Sequence, residues 1–247
     1  MIDPGRLNAL LNTPGIESLW DMHCRQMAEF GFDRLLYGLT RYRTATTLGD
    51  PEDFVLLSNH APEYTKGFIE GRLYADAPMV KWALENDGAC SWSHIRTLEL
   101  TDKEKQVLEF NRDHGVTAGY SVSFKTVSPR AKGAIALTAC KDVSQEDVDA
   151  LWQDQGDTIC ALNTVVHLRI LSLPYNAPGR ALTRRQKEVL EWVGDGKTVQ
   201  DIALLMGLTP ATVEKHLRLA REALCVETTA QAVLKAAFQN QMFVIEP

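Results

Sequence analysis

The chain has few of the residues that would point to metal, redox or catalytic chemistry. Its five cysteines, Cys24, Cys90, Cys140, Cys160 and Cys225, are scattered, odd in number and contain no CxxC pair. That spacing argues against a disulfide framework or a zinc site and leaves buried thiols as the default. The six histidines show no HExxH or other ligand spacing, so neither a metal nor a cofactor is expected. There is no GxSxG, no P-loop and no pair of carboxylates in a short motif, which argues against an enzyme. Asp76, Asp87 and His94 lie near one another in sequence but read as solvated polar residues. No apolar run approaches the roughly 20 residues needed to cross a bilayer. The start, MIDPGRLNALLN, lacks the basic end and apolar centre of a signal peptide, so a cytoplasmic protein with no membrane partner is expected.

A basic excess is missing too: the net charge is −6. It is unevenly shared. Residues 180–247 hold nine Lys and Arg against eight Asp and Glu, about +1, while the residues before them hold 17 against 24, about −7. The acidity belongs to the front, and the basic side chains at the back remain free to gather on one face. A single such tail would grip nucleic acid weakly; two copies on one duplex would compensate.

What is present is a globular composition, 45% hydrophobic and 23% charged over 247 residues, enough for one large or two medium domains. The most informative stretch is TVQDIALLMGLTPATVEKHLRLAREAL, residues 198–224. Thr198 is a good N-cap, and Asp201 stands where its carboxylate reaches back to the first-turn amides. Ile202, Ala203, Leu205 and Met206 recur at helical spacing. Gly207 stops that helix, and Thr209 with Pro210 at the first helical position starts another. Val213, Leu217, Ala220 and Leu224 then form one buried stripe. Two capped helices joined by a short turn containing Gly make a helix-turn-helix. The other face of the second helix offers Thr212, Lys215, His216, Arg218 and Arg221 to phosphates and base edges, so double-stranded DNA is the expected partner.

These residues resemble a known family. LTRRQKEVLEWVGDGKT, followed by DIA, TVEKHL and QAV, is similar to the DNA-binding domain of LuxR-type transcription regulators through residues 182–236. Glu188, Leu190 and Gly196 stand at positions typical of that family. The resemblance implies that Glu214 and Arg218 face bases, Arg218 pairing with a guanine and Glu214 accepting from a cytosine amine. Lys197, Thr198, Thr212, Lys215 and His216 are then phosphate contacts. A phosphorylation-controlled receiver in front of the same tail is disfavoured, because Arg41, Arg43 and Thr44 follow the first strand where an acidic cluster belongs.

The front of the chain reads as helices around a few strands. A helix is expected over 16–30, ended by Gly31, then strands over 32–42 and 53–57. Helices over 62–70 and 77–85 precede a short stretch around Trp92. Thr101 and Glu104 form a capping box for a helix running to residue 114. Residues 120–127 and 133–140 pair as a hairpin across Ser128-Pro129-Arg130, and Ser144 with Asp147 opens a long helix to 171. The expected fold is α+β. An N-terminal α/β/α sandwich sensor with a mainly antiparallel sheet occupies 1–172, a linker 173–180, and an all-α four-helix helix-turn-helix domain 181–247. The long helix has apolar residues on more than one face and leads to the linker, which suits a homodimer reading paired half-sites.

More weakly, the front resembles the sensor domain of the same family, which closes a pocket for N-acyl-homoserine lactones. Pro78, Trp92 and Gly115 are kept. Tyr64 stands in place of a Trp, Phe68 in place of a Tyr, and Ala77 precedes Pro78, with Asp76 displaced by one residue. The resemblance therefore implies a quorum-sensing regulator with a diverged pocket formed by Tyr64, Phe68, Asp76 and Trp92, with Leu36, Gly38 and Thr138 on the strands. One residue along a helix turns a side chain by about 100°, so Asp76 takes the family carboxylate's direction only if the helix starts differently. Two readings stay open: a long-chain lactone held mainly by apolar contact, or a diverged regulator sensing a non-lactone ligand or none.

Overall fold

A computed structural model describes residues 3–44, 46–175 and 181–243. The chain folds as two compact units, with the boundary between Leu171 and Ser172.

In the first unit, α1 (Pro4–Leu11) and α2 (Ile16–Glu29) precede β1 (Phe32–Thr40). After them come β2 (Val55–Ser58), α3 (Pro62–Glu70), α4 (Pro78–Glu85), β3 (Gly88–Ser91), α5 (Asp102–Asp113), β4 (Gly119–Ser123), β5 (Lys132–Ala139) and α6 (Gln145–Ser172). The five strands make one sheet, order β2-β1-β5-β4-β3, in which every neighbouring pair is antiparallel. Two of these elements were not expected. β3 falls where only a short stretch around Trp92 was read, and α1 starts with Asp3 capping the amide of Gly5 and Pro4 in its first turn. The second strand begins at Val55, because Asp50 and Pro51 first wind a 3₁₀ turn over Pro51–Asp53. Both expected side-chain boxes form, Thr101 with Glu104 and Ser144 with Asp147.

Strand alternation gives the sheet two different faces. Leu35, Tyr37, Leu39 and Leu137 are buried, and Tyr37 meets α2 and α6. Its ring lies 6.4 Å from that of Trp20, and its hydroxyl is 2.8 Å from His167 Nδ1. His167 in turn stacks on Phe124 at 4.1 Å. Deeper still, His23 Nε2 is 2.9 Å from Asn163 Oδ1, with both residues almost fully buried. The opposite face of β1 and β5 presents Leu36, Gly38, Ala134, Ala136 and Thr138 beneath α3, α4 and α5.

The second unit holds α7 (Arg184–Gly194), α8 (Val199–Met206), α9 (Pro210–Ala223) and α10 (Thr229–Phe238). Thr183, Thr198 and Thr228 each open a helix with a complete capping box, and Thr209 caps α9 behind Pro210. Gly207 ends α8 at φ +64°, the left-handed conformation that costs glycine nothing. The core is Val189, Leu190, Ile202, Val213, Leu217, Ala220, Leu224, Ala232 and Ala236. Leu205, though apolar and at helical spacing, is 53% exposed beside Leu204 at 85%, because an eight-residue helix buries one narrow edge and Ile202 and Ala203 occupy it. Of the linker expected over 173–180, residues 176–180 lie outside the described residues. Leu173 and Tyr175 are already tied to this unit, through Asn240 Nδ2 to Leu173 O at 3.0 Å and Tyr175 N to Gln239 O at 2.9 Å.

Burial holds His23 and His167 neutral, each lowered to about 4; the Asn163 hydrogen bond opposes the shift at His23, and Arg41 adds to it at His167. Unfolded histidine ionises near 6.5, so between about 6.5 and 4 the unfolded chain binds the extra protons and the fold loses stability as pH falls. The urea midpoint of the N-terminal unit, followed by tryptophan fluorescence, is expected to drop from pH 7 to pH 5. His23→Gln should make that drop shallower, and an unchanged slope would remove His23 from the cause.

Candidate functional site

The N-terminal unit contains a cavity of about 450 Å³ between the sheet and the helices over it. Its floor is made by small side chains. Gly38 pairs with Ala134 across β1 and β5, and Leu36 with Ala136. A Cβ built on Gly38 would meet nothing within 4 Å, since that position opens directly onto free space. On β5 the alternation Ala134, Ile135, Ala136, Leu137, Thr138 puts small residues on the cavity side and large ones in the opposite layer.

The roof is aromatic. Tyr64 and Phe68 are one helical turn apart on α3, with ring centroids 5.7 Å apart and planes 13° from parallel. His60 stacks on Tyr64 at 4.5 Å, and Phe110 of α5 stacks on it at 5.4 Å. The Tyr64 hydroxyl donates to Asn111 Oδ1 at 3.1 Å, and burial pushes its pKa up. His60 is lowered to about 4, chiefly by burial and then by Arg34, so it is neutral at neutral pH. Trp92, in the 3₁₀ turn Trp92–Thr97, donates its indole N–H to Ser121 Oγ on β4 at 3.0 Å.

Of the residues read from sequence, Leu36, Gly38, Tyr64, Phe68, Trp92 and Thr138 all line this cavity. Asp76 does not. It closes the 3₁₀ turn Leu73–Ala75, and its carboxylate lies 3.6 Å from Lys81 Nζ, which also donates to Glu104 Oε1 at 2.9 Å. Pro78 starts α4 one residue after Ala77, so Asp76 stays outside the helix and turns to a cation instead of the cavity. His60, Asn111, Ser121, Ala134 and Ala136 line the cavity and were not singled out beforehand. The small-large alternation of β5 was the available signal for the two alanines.

In the C-terminal unit, α8 and α9 form the expected helix-turn-helix, with Leu208 N donating to Ala203 O at 2.8 Å across the turn. Val213, Leu217, Ala220 and Leu224 are buried, while Glu214, Lys215 and Arg218 are exposed on the far side of α9. Lys197 and Thr198 are exposed at the start of α8; Thr212, His216 and Arg221 are half-buried. Arg218 Nη1 lies 2.5 Å from Glu222 Oε1 one turn on, both side chains more than half exposed. Such a pair is worth under about 1 kcal/mol, so a phosphate or a guanine edge can displace it. Arg221 donates to Thr229 Oγ1 at 3.0 Å, which ties α9 to the start of α10.

Comparison with known proteins follows the same division. Residues 15–170 match the autoinducer binding domain, and residues 180–236 match the bacterial regulatory proteins of the luxR family. The transcriptional activator protein AnoR of Acinetobacter nosocomialis is 24% identical over 231 residues, covering 93% of this chain and 94% of its own. SdiA of Escherichia coli, solved in complex with octanoyl-rac-glycerol, shares the fold at a TM-score of 0.54 and 16% identity, over 95% of this chain and 93% of its own. CepR2 of Burkholderia cenocepacia, described as an N-acylhomoserine lactone dependent factor, gives 0.53 at 18% identity over 66% of this chain and 90% of its own. Among the described residues no helix is long and apolar enough to cross a membrane. The chain therefore belongs to the LuxR family of bacterial transcription regulators, an autoinducer-binding domain followed by a helix-turn-helix DNA-binding domain.

Proposed function

We propose that a small amphiphile, an acyl-homoserine lactone or a related acyl compound, fills the N-terminal cavity and governs how a homodimer holds a palindromic operator. The observation that carries this reading is the cavity itself. A mainly apolar space of about 450 Å³ left unfilled forgoes the packing contacts its lining could make. A guest with an apolar chain recovers part of that, at about 0.8 kcal/mol per buried methylene. It then acts by population shift, favouring whichever form it binds better.

The two solved relatives named above, one described with an acylglycerol and one as lactone-dependent, support an acyl ligand. Pairing of two protomers is supported by the apolar side chains left outside, Leu168 on α6 at 58% exposure and Leu234 and Phe238 on α10 at 53% and 38%. On DNA, Arg218 and Glu214 are assigned to bases, and Lys197, Thr198, Thr212, Lys215, His216 and Arg221 to the backbone.

Gly38→Val tests the cavity. A β-branched side chain suits a central strand, and it would occupy the space above the floor. The melting temperature of the free protein should hold or rise, while affinity for N-decanoyl-homoserine lactone or monooctanoylglycerol falls roughly tenfold or more. Undiminished binding of both would place the ligand elsewhere. For DNA, Arg218→Ala should cost about 1–3 kcal/mol on the selected operator and relax one base position. Equal losses on operator and random duplex, measured at one salt concentration, would reassign Arg218 to the phosphates.

A further inference from the structure

The cavity lining carries charge of one sign. Among the described residues its charged members are Arg96, Arg112 and Lys132, and no aspartate or glutamate joins them. His60 adds nothing, since burial and then Arg34 hold it neutral at neutral pH. Lys132 is already engaged: its side chain is 7% exposed, and it donates to Asp87 Oδ1 at 2.7 Å and to Asn86 O at 2.9 Å.

The two arginines are placed differently. Among the described residues, every side chain lining the cavity is buried or half-buried except those of Arg96, Arg112 and Thr117. The space therefore reaches solvent at the 3₁₀ turn Trp92–Thr97 and the end of α5. Arg112 makes no side-chain hydrogen bond or ion pair among the described residues. Arg96 donates to Glu146 Oε1 at 2.7 Å, but with the two side chains 66% and 68% exposed that pair is weak and readily exchanged. Ile95, Leu108 and Val116 line the same space within four positions of the arginines, so the lining passes from cationic to apolar within a helical turn.

Cations unbalanced by any acid draw an anion to the opening, and a guanidinium offers a carboxylate two parallel N–H donors. A neutral lactone carbonyl gains neither the charge nor the fork. We infer that the cavity takes an acyl chain ending in a carboxylate, with the carboxylate at the mouth on Arg112 and Arg96 and the chain inside. This rests on the cavity being the ligand site, and it narrows the ligand from acyl compounds at large to their acids.

The test uses the full-length protein at neutral pH and two probes built on one chain. These are N-decanoyl-homoserine lactone and N-decanoyl-homoserine, whose opened ring supplies the carboxylate, each titrated by calorimetry below the concentration at which it aggregates. The acid is expected to bind roughly threefold tighter or more, a lead that partly exposed ion pairs can supply. That lead should shrink as salt rises from about 0.05 to 0.5 M. An acid with a smaller lead, or one weaker than the lactone, overturns the inference. Replacing both arginines, Arg96→Gln with Arg112→Gln, should abolish the preference while lactone affinity and the melting temperature of the free protein hold. Equal weakening of both probes would show that the arginines shape the mouth without reading charge, and would overturn it. Arg112→Lys, which keeps the charge and loses the fork, should retain part of the preference. Gly38→Val, inside the cavity, should weaken the acid as well; an acid bound as tightly as before is held on the surface alone, and the inference falls. If neither probe binds, the cavity reading falls with it, an outcome distinct from binding with the lactone preferred.

Discussion

The N-terminal unit depends on an imbalance between the two sides of the same strands. On one side Leu35, Tyr37 and Leu137 are buried under α2 and α6. On the other, Gly38, Ala134 and Ala136 stop well short of Tyr64 and Phe68. Close packing supplies most of what stabilises a fold, and one layer has it while the other lacks it. The helices α3, α4 and α5 are joined to one another by the stack of His60, Tyr64, Phe68 and Phe110 and the ion pair of Lys81 with Glu104, and α4 is tied to the sheet at its edge, where Ser123 Oγ donates to Ala83 O at 2.7 Å. A layer supported at its edges and open beneath is where a guest can alter stability most.

Much of this was legible in the chain. Period-two alternation located β1, β4 and β5, and the boxes at Thr101, Ser144 and Thr198 marked helix starts within a residue. Those signals are local, made by neighbours within four positions. β3 was not legible, because Gly88-Ala89-Cys90-Ser91 has little strand propensity and is a strand only through its pairing with β4. α1 was not legible because eight residues give too short a period to stand out, and its cap at Asp3 with Pro4 is a signal that turns share. Periodicity reports which residues are apolar, and in a short helix such as α8 the apolar Leu204 and Leu205 outnumber the buried places.

The cavity was legible in part. Tyr64, Phe68 and Trp92 were found through their positions along the chain, and the structure gathers them around one space. Who bonds to whom was not, since Tyr64 reaches Asn111 and Trp92 reaches Ser121 across 47 and 29 residues. Asp76 is the instructive case. Sequence could say that its direction was in doubt, but only the placement of Lys81 and Glu104 shows where its charge goes. Among the described residues no aspartate or glutamate lines the cavity.

The C-terminal helices each carry their own punctuation: a threonine at every start, and at α8 a left-handed glycine at the end. Among the described residues, the core between these helices is built from this unit's own side chains. On the dimeric reading proposed above, a guest would speak to DNA through geometry, by how two already finished reading heads are carried.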